Sequence, residues 1–158
     1  GGALMDVGVY AIQACRYLAG EEPVEVTAIE TKTDPVKFAE VDETISWSMK
    51  FASGLTASCL TTYNFNGCEH FTAYCEKGRF GMKPAYSYVG LAGWTSDPKV
   101  PLAFPAVDHF AAEMDAFSQA IIARKPFEPS GAEGLRDLLV VEAIYRSIAT
   151  GKMEKVGV

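Results

Sequence analysis

No G-x-G-x-x-G turn, no Walker loop and no G-x-S-x-G elbow occurs in these 158 residues. Without the first two, the chain has no sequence device for seating a dinucleotide or a triphosphate on a helix N-terminus, and without the third a hydrolase serine has no anchor. Basic runs are also missing. Fourteen Lys and Arg stand against twenty Asp and Glu, a formal charge of −6, which argues against nucleic acid as a partner because nothing neutralises successive phosphates. No apolar run reaches the roughly 18–20 residues that cross a bilayer, so no membrane partner is expected. Histidine is scarce at two residues and the four cysteines form no C-x-x-C pair. His70, His109, Cys68 and Cys75 lack zinc-ligand spacing, and no metal is expected. A chain of this size needs no disulfide frame, which fits a reducing compartment, cytoplasmic by expectation. There is no signal-peptide pattern, but the chain opens on Gly-Gly and enters a helix pattern at once, as a domain cut from a longer protein would. Export therefore stays open.

What is present suits a packed domain: 49% of the residues are hydrophobic and 22% charged, enough for a sizeable core in a single domain spanning residues 1–158. Leu4, Val7, Ile12, Cys15 and Leu18 recur at three- and four-residue steps and stop at Gly20, which predicts a helix. Val24–Thr31 switches to period two. Ile45, Trp47, Met49 and Phe51 alternate with polar residues, and Leu55–Tyr63 returns after "ASG", predicting an antiparallel hairpin. Glu69–Cys75 and Arg79–Met82 follow as strands around the turn "EKG", after a break at "NFNG", extending the sheet to at least five strands. Residues 84–105 read as a long irregular loop. Phe110, Met114, Phe117 and Ile121 then form a helical stripe expected to dock on the sheet. Ser130 and Glu133 make an S-x-x-E capping box before a last helix that ends at Gly151. The order predicts an α+β fold with an open, mainly antiparallel β-sheet and helices packed on one face.

The chemistry is concentrated at the start. On a helix, residues four apart lie on one face about 6 Å from each other, so Asp6 and Tyr10 can reach a common substrate atom. Tyr10 would exchange a proton with a substrate hydroxyl while Asp6 orients the substrate. A phenol, with its ordinary pKa near 10, needs a neighbouring cation to act as a base near neutrality. A plainer reading is that Asp6 complements the helix dipole and Tyr10 covers the core with its hydroxyl in water. Spacing alone does not choose between them.

Longer strings do. "GGALMDVGVY" with "RYLAGEEPVEVTA", "VDETISWSMKFASGLTASC", "EKGRFGMKPAYSY", "HFAAEMDAFSQAI" and "GLRDLLVVEAIYRSIATGK" resemble, in order, the second half of the Gfo/Idh/MocA oxidoreductases, most closely the glucose-fructose oxidoreductase branch. The resemblance implies a two-domain enzyme in which an N-terminal Rossmann domain holds NAD or NADP and a C-terminal domain binds a sugar-like substrate. Its open sheet face implies a homo-oligomer. Asp6 and Tyr10 match the family's active-site Asp and its Tyr or His, whereas the junction lysine of its "EKP" motif has no counterpart here. Glu76-Lys77-Gly78 is a hairpin turn and not that motif. The implied chemistry is hydride transfer at a sugar or polyol carbon, with this chain alone inactive and binding no cofactor by itself. The family's first sheet strand also has no match, which predicts an unpaired sheet edge.

Two further features are secondary. "YNF" at 63–65, "YSY" at 86–88 and Trp94 could line a sugar cleft. Thr44, Ser46, Ser48, Thr56, Ser58 and Thr62 form a nearly uncharged sheet face, and a non-catalytic association module is the rival reading.

Overall fold

The computed structural model describes residues 1–65, 67–96 and 100–157. The break expected at 64–67 and the loop expected over 84–105 each include residues outside those, namely Asn66 and 97–99. The chain divides into two compact units, residues 1–66 with 131–158, and residues 67–130.

The first unit begins with a π-helical turn, Leu4–Gly8, which runs into helix α1, Val9–Ala19. Strands β1 (Pro23–Thr31), β2 (Thr44–Phe51) and β3 (Thr56–Thr62) follow, all antiparallel. The period-two pattern of β2 is realised fully: Ile45, Trp47, Met49 and Phe51 are buried while Ser46, Ser48 and Lys50 are exposed. Burying such side chains stabilises the fold by about 1.5–3 kcal/mol each. Phe51 and Leu55 close the hairpin through a 2.9 Å backbone hydrogen bond, as the "ASG" turn predicts.

The last helix of this unit starts at Gly131, directly after Ser130, and ends at Thr150 beside Gly151. Its Val140, Val141, Ala143 and Ile144 join Leu4, Ile12, Val26 and the buried β2 residues in one core. Arg16 anchors α1 to this helix. Its guanidinium is buried and pairs with Asp137, with Glu22 at 2.6 Å and with Glu133 at 2.8 Å. The hydrogen bonds to Glu22 and Asp137 outweigh burial and hold Arg16 firmly protonated. Removing one member of the cluster would leave buried charge uncompensated.

An unpaired sheet edge was expected, and the β1 edge is partly covered. A two-residue strand, Glu154–Lys155, pairs antiparallel with Glu25 and Val26, so the sheet has four strands in the order β3, β2, β1 and this last strand. Farther along β1, the Ala28 amide donates to the Ser147 hydroxyl at 3.0 Å. Local pattern does not reveal the Glu154–Lys155 strand, because two residues carry no period.

In the second unit, Phe71–Cys75 and Gly78–Met82 pair around the predicted tight turn, but they extend a different sheet from the one expected. Gly93–Thr95 and Val100–Leu102 complete it as two three-residue strands inside the segment read as irregular. Such strands are too short to show alternation, and Pro101 is admissible because its strand lies at the sheet edge. Helix α2, His109–Ala123, is capped by Asp108, which accepts from the Ala111 amide. It buries none of its residues. Phe110, Met114, Phe117 and Ile121 are 50–63% exposed, so the stripe does not dock on the sheet as expected. Periodicity identifies an apolar face without naming what covers it; here Phe117 meets Phe127 and Phe110 meets Tyr88, each pair at 5.2 Å between ring centres.

Candidate functional site

Asp6 and Tyr10 both stand on the first helical segment and both are exposed, Tyr10 at 42%. The segment is held from beneath by three elements. Asp42, buried just before β2, accepts from the Leu4 amide through Oδ2 at 2.7 Å, and its carbonyl accepts from the Ala3 amide at 3.2 Å. These satisfy two of the amides that a helix start leaves without an internal partner. Tyr145, on the last helix, donates to the other Asp42 oxygen at 2.7 Å. From β3, the Thr61 hydroxyl donates to the Ala3 carbonyl at 3.1 Å.

This closeness explains the opening glycines. A Cβ at Gly2 would lie 2.6 Å from the Asp42 backbone nitrogen, and one at Gly8 would lie 2.9 Å from Leu4 Cδ1 and 3.2 Å from Thr61 Cγ2. A side chain at Gly2 would push the segment off its support, whereas one at Gly8 would press on the side-chain ends of Leu4 and Thr61. The first turn is π-helical where an ordinary α turn was expected, a form found often at functional sites. Beside the clamp, Gly2, Glu30, Lys32, Asp42 and Tyr145 line part of a cavity of about 360 Å³ that includes neither Asp6 nor Tyr10.

Asp6 has a partner that spacing could not supply. Tyr63, immediately after β3, donates its hydroxyl to Asp6 Oδ2 at 2.6 Å, and its ring stacks on Phe38 at 6.3 Å and 25°. Loss of solvation, then the Asp6 hydrogen bond and the negative charges of Asp6 and Asp42, push the Tyr63 phenol up to about 12. Tyr63 therefore stays protonated and works as a donor that aims the carboxylate. It was legible only as one aromatic of "YNF". Asp42 and Tyr145 carried no signal, since their role depends on contacts 38 and 103 residues apart in sequence.

The remaining sequence candidates scatter. Tyr86, Tyr88 and Trp94 belong to the second unit, where the Arg79 guanidinium lies 5.8 Å from the Trp94 ring. Lys77 is exposed between two strands. Cys68 lies 3.9 Å from His70, while Cys75 ends a strand and His109 begins α2. Among the described residues, no three His, Cys, Asp or Glu side chains are grouped to hold a metal ion, and no helix is long and apolar enough to cross a membrane.

An exposed acid and an exposed phenol thus share a helical segment clamped by Asp42, with an antiparallel sheet behind it. Residues 1–81 match the GFO/IDH/MocA C-terminal domain, and the chain belongs to that family. It is 39% identical to the aldose-aldose oxidoreductase from Caulobacter crescentus, whose structure with glycerol superposes with a TM-score of 0.91 over 98% of this chain and 48% of that one. It is 28% identical to D-xylose 1-dehydrogenase (NADP(+)) 2 of Haloferax volcanii over 96% of this chain and 47% of the relative. Inositol 2-dehydrogenase of Rhizobium meliloti is 26% identical over 94% of this chain and 48% of its own length. The chain thus spans about half the length of the relatives it matches, which are themselves sugar or polyol oxidoreductases by name.

Proposed function

We propose that this chain is the substrate-side part of an NAD(P)-dependent oxidoreductase acting on a sugar or polyol, the dinucleotide being held by a separate Rossmann domain. The observation that carries the reading is the Asp6 carboxylate, fixed by Tyr63 on a segment whose start is clamped by buried Asp42, with exposed Tyr10 one turn on. Support comes from the 39% identity to an aldose-aldose oxidoreductase along nearly the whole chain.

A dinucleotide fold needs parallel strands joined through a helix, and every strand pair described here is antiparallel. The described residues thus offer no cradle of that type. The nicotinamide, when bound by its own domain, supplies the hydride acceptor or donor. The chain's residues bind and orient the substrate and carry its proton. Asp6, its second oxygen taken by Tyr63, accepts a hydrogen bond from a substrate hydroxyl through the remaining one and orients the sugar. Tyr10, ionised by a cation that the dinucleotide-holding domain would supply, takes the proton of the reacting hydroxyl on oxidation and returns it on reduction.

The test is Tyr10→Phe in the protein that carries both domains. A loss of about 100-fold or more in kcat is expected, the usual scale for a positioned acid–base group. Turnover unchanged would sink the proton-transfer role. NADH and NADPH titrated into residues 1–158 alone should show no binding, and micromolar binding would overturn the division of labour.

A second role rests on the open face of the first sheet. Thr27, Ile29, Ser46, Ser48, Ser58 and Leu60 stand exposed there, Ile29 at 67% and Leu60 at 45%, with a Glu25–Lys50 ion pair across it. Such a flat, nearly uncharged surface suits a second copy of the chain. Light scattering should give a dimer or larger, and Leu60→Lys should shift it to monomer.

A further inference from the structure

The two half-buried cysteines of the first unit meet although 44 residues separate them in sequence. Cys15 Sγ on α1 lies 3.6 Å from Cys59 Sγ on β3, at the border of the core and not within it. Every other cysteine is exposed. The pair is more than packing, because two thiols in contact across a helix–strand interface need close by only about 1.5 Å to reach disulfide bonding distance. Their environments differ as well: the hydrogen bond from Cys59 lowers the Cys15 thiol, while the same contact followed by burial raises Cys59.

We propose that Cys15 and Cys59 form a peroxide-responsive dithiol, a reversible modification site that ties α1 to β3. The thiolate of Cys15 attacks one oxygen of hydrogen peroxide; an S–O bond forms, the O–O bond breaks, and the departing hydroxide leaves as water after taking up a proton. Cys59 then attacks the Cys15 sulfur. The S–S bond forms, the S–O bond breaks, and the leaving hydroxide carries away the Cys59 proton as a second water. Two thiols are oxidised, one peroxide is reduced, and nothing else is consumed. Contact decides the outcome, since whichever sulfur is oxidised first has the other thiol 3.6 Å away to resolve it.

The position gives the bond a consequence. α1 carries Tyr10 and continues directly from the turn bearing Asp6, and β3 leads into Tyr63, so the disulfide would link the two elements next to the Asp6–Tyr63 hydrogen bond. Its formation draws the helix toward the strand behind the site. A small reducing thiol restores the open state.

The test is residue-resolved mass spectrometry of the intact, folded protein after limited hydrogen peroxide and rapid alkylation. The expected product is one cross-linked peptide pair joining Cys15 to Cys59, lighter by two hydrogens than the separate peptides and released by dithiothreitol. It should be lost in both Cys15→Ser and Cys59→Ser. Recovery of Cys15 and Cys59 as alkylated thiols after peroxide would overturn the proposal, as would pairing of either with a different cysteine. Because the wild-type measurement reads the bond directly, its outcome does not depend on either variant folding or on the assignment of Tyr10.

Discussion

The Tyr63 hydroxyl donates to Asp6 Oδ2 at 2.6 Å, joining the residue after β3 to the first turn of the chain. Tyr63→Phe removes the donor and leaves the ring on Phe38. If the bond aims Asp6 at substrate, kcat/KM in the two-domain protein falls by about 10- to 100-fold, the range for a hydrogen bond to a charged group, with the circular dichroism spectrum unchanged. A loss of stability with unaltered kinetics would make Tyr63 merely structural.

The same bond sets a pH expectation. Tyr63 must be protonated to donate, and its pKa is raised from the ordinary 10.0 to about 12. A raised pKa places the contribution fully below the ordinary value and removes it as pH rises through the folded one. Tyr63 can thus donate throughout the range below pH 10, and because burial and the Asp42 hydrogen bond also raise Tyr145, ultraviolet titration should find one fewer late-ionising tyrosine in Tyr63→Phe than in wild type.

Asp42 accepts from both the Leu4 amide and Tyr145 while buried. Asp42→Ala strands two polar groups and should cost about 2–4 kcal/mol in urea unfolding, against about 1 kcal/mol for Tyr145→Phe, which removes one donor but leaves the carboxylate its amide. Equal costs would show that the clamp acts through something other than these bonds.

Gly2→Ala and Gly8→Ala separate rigid from yielding neighbours. The Gly2 Cβ would strike the Asp42 backbone and side chain, whereas at Gly8 the closest atom is the movable end of Leu4. Overpacking of this kind costs about 1–3 kcal/mol, with Gly2→Ala expected at the upper end and lower in activity. Thermal unfolding of both variants checks the order.

Glu43 has no exposed surface and accepts from the Thr33 and Asp34 amides and the Thr33 hydroxyl. Burial raises its pKa, but these hydrogen bonds and the Lys37 charge outweigh it and hold the carboxyl below the usual 4.5. A depressed carboxylate stabilises the fold above its ordinary pKa, and that contribution is lost as pH falls through the folded value. Wild-type stability should therefore drop more steeply below pH 4.5 than that of Glu43→Gln, measured by urea midpoint across pH.

Much of the fold is legible in the residues themselves. The helix from Leu4, the strand from Val24, the β2–β3 hairpin and the final helix follow from apolar periods that local geometry must obey, and the S-x-x-E start and Gly151 stop lie within a residue of the observed ends. The Asp6 and Tyr10 positions, too, are a local fact of one segment. Where pairing is non-local, pattern is silent: Phe71–Cys75 and Gly78–Met82 are correctly strands, yet which sheet they join depends on two later strands of three residues each.

By itself, then, the sequence determined which stretches could be helix or strand, which faces would be apolar, and which acid and phenol share the first helical segment. Tertiary structure alone decided what those faces meet. It left the α2 stripe exposed, closed part of the β1 edge with Glu154–Lys155, and brought Asp42, Tyr63 and Tyr145 to the site. The reason is physical: periodicity is set by bonds between near neighbours in the chain, whereas a hydrogen bond between residues 57 apart, such as Tyr63 to Asp6, exists only once the core has packed.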